Sequence, residues 1–127
     1  AGLVPVWLTR DYAATRELGR ALRVFTIHNL AYQGTFDASW LPRLGLGWDL
    51  FTLGGMEFWG RMSFLKAGIS FSQRITTVSP TYAREIQTPE FGFGMDGLLR
   101  YRASDLIGIV NGIVREPATF TPGARLG

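Results

Sequence analysis

His28 is the only histidine in the chain, and Asn29 follows it directly, with Tyr32 and Gln33 close behind. His, Asn, Gln and Tyr side chains offer neutral hydrogen-bond donors and acceptors. Such groups suit hydroxyl-rich ligands such as sugars, which need directional hydrogen bonds rather than net charge. A satisfied, half-buried structural histidine is the competing reading of His28. A second polar pair, Asn111-Gly112, reads either as a simple turn, since Asn-Gly favours positive φ, or as a further ligand contact. Ser79 precedes Pro80 and is best read as a helix N-cap; no G-x-S-x-G elbow surrounds any serine. Glu57, Glu85 and Glu90 form no evident acid/base pair. Trp40, Trp48 and Trp59 are either sugar-stacking platforms or, as aromatics more often are, packed inside. The run Gly92-Phe93-Gly94-Met95-Asp96-Gly97 matches G-x-G-x-x-G. A helix and Pro89 precede it where a strand is required, and Glu90 would repel phosphate, so it reads as a flexible loop.

Composition removes whole classes of chemistry. There is no cysteine, so disulfides, zinc-thiolate sites, iron–sulfur clusters and a cysteine nucleophile are excluded, and one histidine excludes a His-rich metal site. Hydrophobic residues make up 46% and charged residues 18% of the 127, enough for a packed core. The net charge is +3, but the basic residues are scattered arginines plus the single Lys66. A nucleic-acid footprint needs clustered charge, so no nucleic-acid partner is expected. Arg61 and Lys66 interrupt the apolar stretch at 58–71, so no membrane span is expected. The chain does not begin with Met, and its last residues read as a loop; a piece of a longer protein is expected.

These residues need elements to hold them. A helix is expected over 3–21, with Pro5 near its start. The β-branched and aromatic run VFTI (24–27) predicts a buried strand. Residues 34–55 read as an excursion packed by its own aromatics or a functional loop. Phe58, Met62, Leu65 and Ile69 fit one helix face between Met56 and Phe71. ITTV (75–78) predicts a second strand, Ser79-Pro80 a helix to about Gln87, residues 98–102 a short helix, and LIGIV (106–110) a third strand. Apolar strands alternating with helices predict α/β architecture with a parallel sheet. His28-Asn29, Ser79 and Asn111-Gly112 then share the C-terminal sheet edge, where open α/β folds bind ligands.

The run VFTIHNLAYQGTF (24–36) resembles a signature of bacterial glycogen synthases and plant starch synthases. The resemblance continues, in order and spacing, through FLKAGISFSQRITTVSPTYAREI (64–86), FGFGMDGLLRYR (91–102) and LIGIVNGI (106–113). It implies a partial Rossmann-like parallel sheet with flanking helices, from the N-terminal domain of a two-domain GT-B glycosyltransferase. Residues 1–127 would be part of that domain, with the C-terminal nucleotide-sugar domain absent. The family's activity is retaining transfer of glucose from a nucleotide sugar, usually ADP-glucose, to the non-reducing end of an α-1,4-glucan, without a metal or cofactor, by a cytoplasmic enzyme. The missing C-terminal domain would complete the cleft.

By the same resemblance His28 is the catalytic cleft histidine, positioned against the transferred glucose rather than acting as a nucleophile. Asn29 matches a residue near the acceptor or the reacting sugar, Asn111 one that faces the sugar pocket, and Tyr32, Gln33 and Gly34 shape the site. Some features depart from the family pattern. The K-x-G-G loop is absent, Val114 stands where Asp is usual, the segment after it is two residues long, and Ser72-Gln73 replaces Ala-Asp. The isolated chain is expected to be inactive and marginally stable. Rival readings are a GT-B enzyme with a different acceptor, a non-catalytic glucan-binding module, and a generic nucleotide-binding domain.

Overall fold

A computed structural model describes residues 1–112 of the chain. Val114 and the segment after it, on which the sequence departs from the family pattern, lie outside the described residues.

The chain opens with helix α1 (Leu3–Arg10), which buries Leu3, Pro5 and Val6. It is much shorter than the helix expected over 3–21. Residues 11–20 are exposed turns, closed by bonds such as Gly19 N–H to the Thr15 carbonyl at 2.9 Å. Apolar contact ends with α1, and a short helix without a packed face does not propagate. Strand β1 (Val24–Ile27) follows as expected.

Residues 34–55, expected as one long connection, carry strand β2 (Thr35–Phe36), the single turn α2 (Trp40–Arg43) and a 3₁₀ turn at Trp48–Leu50. Leucines do most of the packing in this excursion: Leu41, Leu46 and Leu50 are buried and Phe51 packs against them, while Trp40 and Trp48 are exposed.

The largest departure comes next. The helix expected from Met56 begins only at Phe64. Strands β3 (Glu57–Phe58) and β4 (Arg61–Ser63) precede it as a hairpin, and β2, β4 and β3 form a small antiparallel sheet. The two turn residues, Trp59 and Gly60, have φ of 53° and 77°. That is the left-handed geometry a two-residue hairpin needs, and it stops any helix there. Ser63 then caps helix α3 (Phe64–Phe71), its Oγ accepting from Lys66 N–H at 3.1 Å.

Strand β5 (Arg74–Thr77) leads to Ser79, whose Oγ accepts from Tyr82 N–H at 2.9 Å and caps helix α4 (Pro80–Glu85), as Ser-Pro predicted. Helix α5 (Asp96–Tyr101) starts two residues early, and strand β6 (Leu106–Gly108) ends two residues early. The main sheet runs β1-β5-β6, all parallel, with Ile27 opposite Thr77 and Thr77 opposite Gly108. Parallel α/β architecture is thus borne out, with an antiparallel module the sequence did not announce.

Two apolar clusters fill the interior. One joins α1, the leucines of the excursion, Met56, Met62 and Ala67. The other joins β1 and β5 through Ile27 and Ile75 to Leu30, Leu65, Ile69, Ile86, Met95 and Leu99. Helix α3 lies between them. Phe64, Ala67 and Phe71 face the first cluster, and Leu65 and Ile69 the second.

The Ser72-Gln73 departure has a structural reading. Gln73 Oε1 accepts from Arg23 N–H at 2.9 Å and so joins the starts of β5 and β1. The Ser72 hydroxyl is buried and has no hydrogen-bond partner among the described residues.

Candidate functional site

The parallel pairing brings the ends of β1, β5 and β6 to one sheet edge. Ile27, the last residue of β1, is buried, and its carbonyl accepts the Thr77 hydroxyl at 2.7 Å. His28 is therefore launched from a fixed point into solvent, where it is exposed. Asn111 is exposed too, three residues past β6, and the sheet is extended toward it by Ile109 N–H bonding the Thr77 carbonyl at 2.8 Å. Ser79, two residues past β5, is occupied as a cap. The edge thus carries His28 and Asn111, both exposed, as the alternation of strands predicted.

The loop from His28 to Gly34 is held at almost every residue. Leu30 is fully buried, and its N–H bonds the Tyr82 hydroxyl at 3.1 Å. Asn29 Oδ1 accepts from Ala31 N–H at 2.9 Å, an Asx turn that engages one end of the amide. The Gln33 carbonyl accepts from Leu65 N–H and from the Ser63 hydroxyl, each at 3.1 Å. Gly34, at φ 58°, turns the chain into β2, and its carbonyl accepts from Phe64 N–H at 3.0 Å. The Gln33 amide reaches further and donates to the Phe93 carbonyl at 3.0 Å. Tyr32 is 80% exposed and makes no side-chain hydrogen bond among the described residues. Gln33 and Gly34 thus fix the path of the loop, whereas Tyr32 is held by its backbone alone.

The glycine-rich segment lies against this loop. Phe93 (φ 50°) and Gly94 (φ 84°) are both left-handed, which exposes the Phe93 ring while turning its carbonyl to Gln33. Helix α5 begins two residues later, so the segment is a bent connector between helices, not a phosphate loop after a strand.

Lys66 escaped the sequence reading. It is only 7% exposed, and its ammonium donates to the Glu57 carbonyl. Burial lowers its pKa from the ordinary 10.5, and the Glu57 carboxylate partly opposes that shift. The available signal was a lone lysine inside an apolar helix; its partner sits on a hairpin that the sequence did not reveal. Among the described residues no group of three or more His, Asp or Glu is placed to hold a metal ion, and no helix is long and apolar enough to cross a membrane.

The starch synthase catalytic domain family matches residues 1–101 of this chain. The chain belongs to that family. Among curated relatives, a glycogen synthase of Myxococcus xanthus (strain DK1622) is 60% identical over 113 residues, covering 88% of this chain and 24% of the relative. A glycogen synthase of Anaeromyxobacter sp. (strain Fw109-5) is 57% identical over 121 residues, covering 93% and 26% respectively. The solved catalytic domain of starch synthase IV from Arabidopsis thaliana, bound to ADP and acarbose, superposes with a TM-score of 0.81 at 39% identity. That likeness covers 88% of this chain and 23% of the solved one. It bears out the expected fold class, a partial Rossmann-like sheet of the GT-B starch synthase type. The chain spans about a quarter of the length of these family members.

Proposed function

We propose that this chain forms part of the N-terminal domain of a retaining glucosyltransferase that moves glucose from ADP-glucose to the non-reducing end of an α-1,4-glucan. The observation that carries the reading is the family match over the segment that holds the sheet edge, with His28 open at the end of β1. A solved relative is bound to ADP and acarbose, which supports a nucleotide and a glucan-like ligand for this chain's parent.

The chemistry of the edge agrees with that assignment. Residues 28–34 carry hydrogen-bonding groups and no Lys or Arg, which suits a sugar more than a diphosphate. In this reading His28 is the catalytic residue. It hydrogen-bonds the transferred glucose and stabilises the oxocarbenium-like state, a task for a preorganised polar group rather than a nucleophile. Asn29 and Asn111 hold sugar hydroxyls, and Tyr32 and Gln33 line the approach. Charge developing on the leaving diphosphate is met by cations of the C-terminal domain, which completes the cleft. A cytoplasmic location belongs to the same reading.

The test is transfer of labelled glucose from ADP-glucose to maltohexaose by the full-length parent and by residues 1–127 alone. Incorporation by the parent and none by the isolated chain is expected. A parent that binds maltohexaose without transferring glucose would instead be a glucan-binding module.

A further inference from the structure

Trp59 stands at the tip of the β3–β4 hairpin, 81% exposed, in a left-handed conformation that non-glycine residues rarely adopt. Its indole is not adrift. It meets the Phe58 ring edge-on, centroids 6.1 Å apart, and it crowds Gly94 so closely that a Cβ there would come within 3.0 Å of the indole Nε1. The hairpin, the glycine-rich segment and α3 border an open cavity of about 260 Å³ lined by Leu53, Glu57, Phe58, Trp59, Lys66 and Gly94.

The polar contents of this cavity are unusual. Lys66 has three N–H donors, and only the Glu57 carbonyl accepts from its ammonium among the described residues. It forms no ion pair among those residues. One Glu57 oxygen accepts from Gly60 N–H at 2.9 Å, and the other has no described partner. The cavity therefore presents spare N–H donors, a spare carboxylate oxygen and an aromatic wall.

That combination selects its occupant. The carboxylate disfavours an anion, and the ammonium disfavours a cation. A neutral ring with vicinal hydroxyls on its rim and C–H groups on one face satisfies all three features. Ligand pockets for larger molecules begin at about 300 Å³, so this one takes a single ring.

We propose that the cavity binds one glucosyl unit of the α-1,4-glucan, with the Trp59 indole against the ring face and the Lys66 ammonium and Glu57 carboxylate on its hydroxyls. The identity of the sugar rests on the function proposed above. The cavity adjoins the catalytic edge through Gly94, whose neighbour Phe93 accepts the Gln33 amide. It is a binding site for the polymer, separate from His28.

The test uses the full-length enzyme and its Trp59→Ala, Trp59→Phe and Lys66→Met variants. Maltohexaose affinity is measured by calorimetry, and acceptor and donor KM by glucose transfer. Trp59→Ala should weaken maltohexaose binding and raise the acceptor KM roughly fivefold, the size of one aromatic contact, with kcat and the donor KM unchanged. Trp59→Phe should restore most of the loss. Lys66→Met should act in the same direction, and if it fails to fold, the exposed Trp59 variants carry the test. Maltohexaose affinity equal to wild type in Trp59→Ala overturns the proposal, as does a wild-type enzyme that does not bind maltohexaose. If wild type binds maltohexaose through Trp59 but transfers no glucose, the cavity stands and the proposed activity falls.

Discussion

The Gln33 side chain and the Phe93 backbone meet across 3.0 Å, although 60 residues separate them in the chain. This one amide fastens the loop that carries His28 to the glycine-rich segment. Gln33→Leu should lower stability by about 1 kcal/mol, the net worth of one hydrogen bond. Denaturant unfolding would read this as a lower midpoint at unchanged slope. Amide exchange should quicken more in residues 91–97 than in β5, which should follow the global loss alone.

The two serine caps should differ in weight. Ser79 Oγ accepts one backbone bond, from Tyr82. Ser63 is fully buried, and its Oγ both accepts from Lys66 N–H and donates to the Gln33 carbonyl. Ser79→Ala should cost about 1 kcal/mol and Ser63→Ala about 2 kcal/mol, because it also removes one of the two bonds to the Gln33 carbonyl at a fully buried position. Equal losses in paired thermal melts would contradict this ordering.

Gly68 is a packing requirement. A Cβ there would lie 2.4–2.6 Å from three carbons of the Phe25 ring. Gly68→Ala gains about 1 kcal/mol in helix propensity and loses about 1–3 kcal/mol to overpacking, for a net loss of about 1 kcal/mol. Phe25→Leu makes room, so the double variant should be more stable than the sum of the singles predicts. Additivity in that cycle would rule the clash out.

Burial depresses the Lys66 pKa below its unfolded value of 10.5. Between the two values the unfolded chain binds more protons than the folded one, so this lysine makes stability rise with pH there. Below that window the folded state carries the full cost of a buried ammonium. The stability of Lys66→Met relative to wild type should therefore fall as pH climbs toward 10.5. A difference that stays flat with pH would mean that the ammonium is not desolvated.

His28 is exposed and makes no side-chain hydrogen bond among the described residues. His28→Ala should shift stability by no more than about 0.5 kcal/mol. In the full-length enzyme it should lower kcat by about 10²- to 10³-fold, the range seen when one transition-state donor is removed. A stability loss large enough to explain the lost activity would make His28 a structural residue.

The parallel sheet was legible because β1, β5 and β6 are short apolar runs followed by polar residues, and Ser79-Pro80 announced α4. The antiparallel module was not legible. Strands of two or three residues are too short to show alternation. Phe58 and Met62 lie four residues apart on a hairpin and mimic a helical face. Trp59 also hid the turn, since turns are recognised by Gly, Asn, Asp and Pro, and only Gly60 spoke for one. The same blind spot concealed the Lys66 cavity, whose walls come from that hairpin. At the site, the sheet edge with His28 and Asn111 followed from strand order alone. The anchoring of Gln33 on Phe93 is a contact between two irregular segments, which no periodicity encodes.

Helix α3 carries apolar side chains on two faces, one for each interior cluster. Among the described residues α3 therefore ties the two clusters together. Opening either cluster strips a wall from the other, so two small cores that would each be marginal alone are bound to a shared fate. The cleft edge and the glucan cavity both border the second cluster, through Leu30 and Phe58, and inherit the same cooperativity.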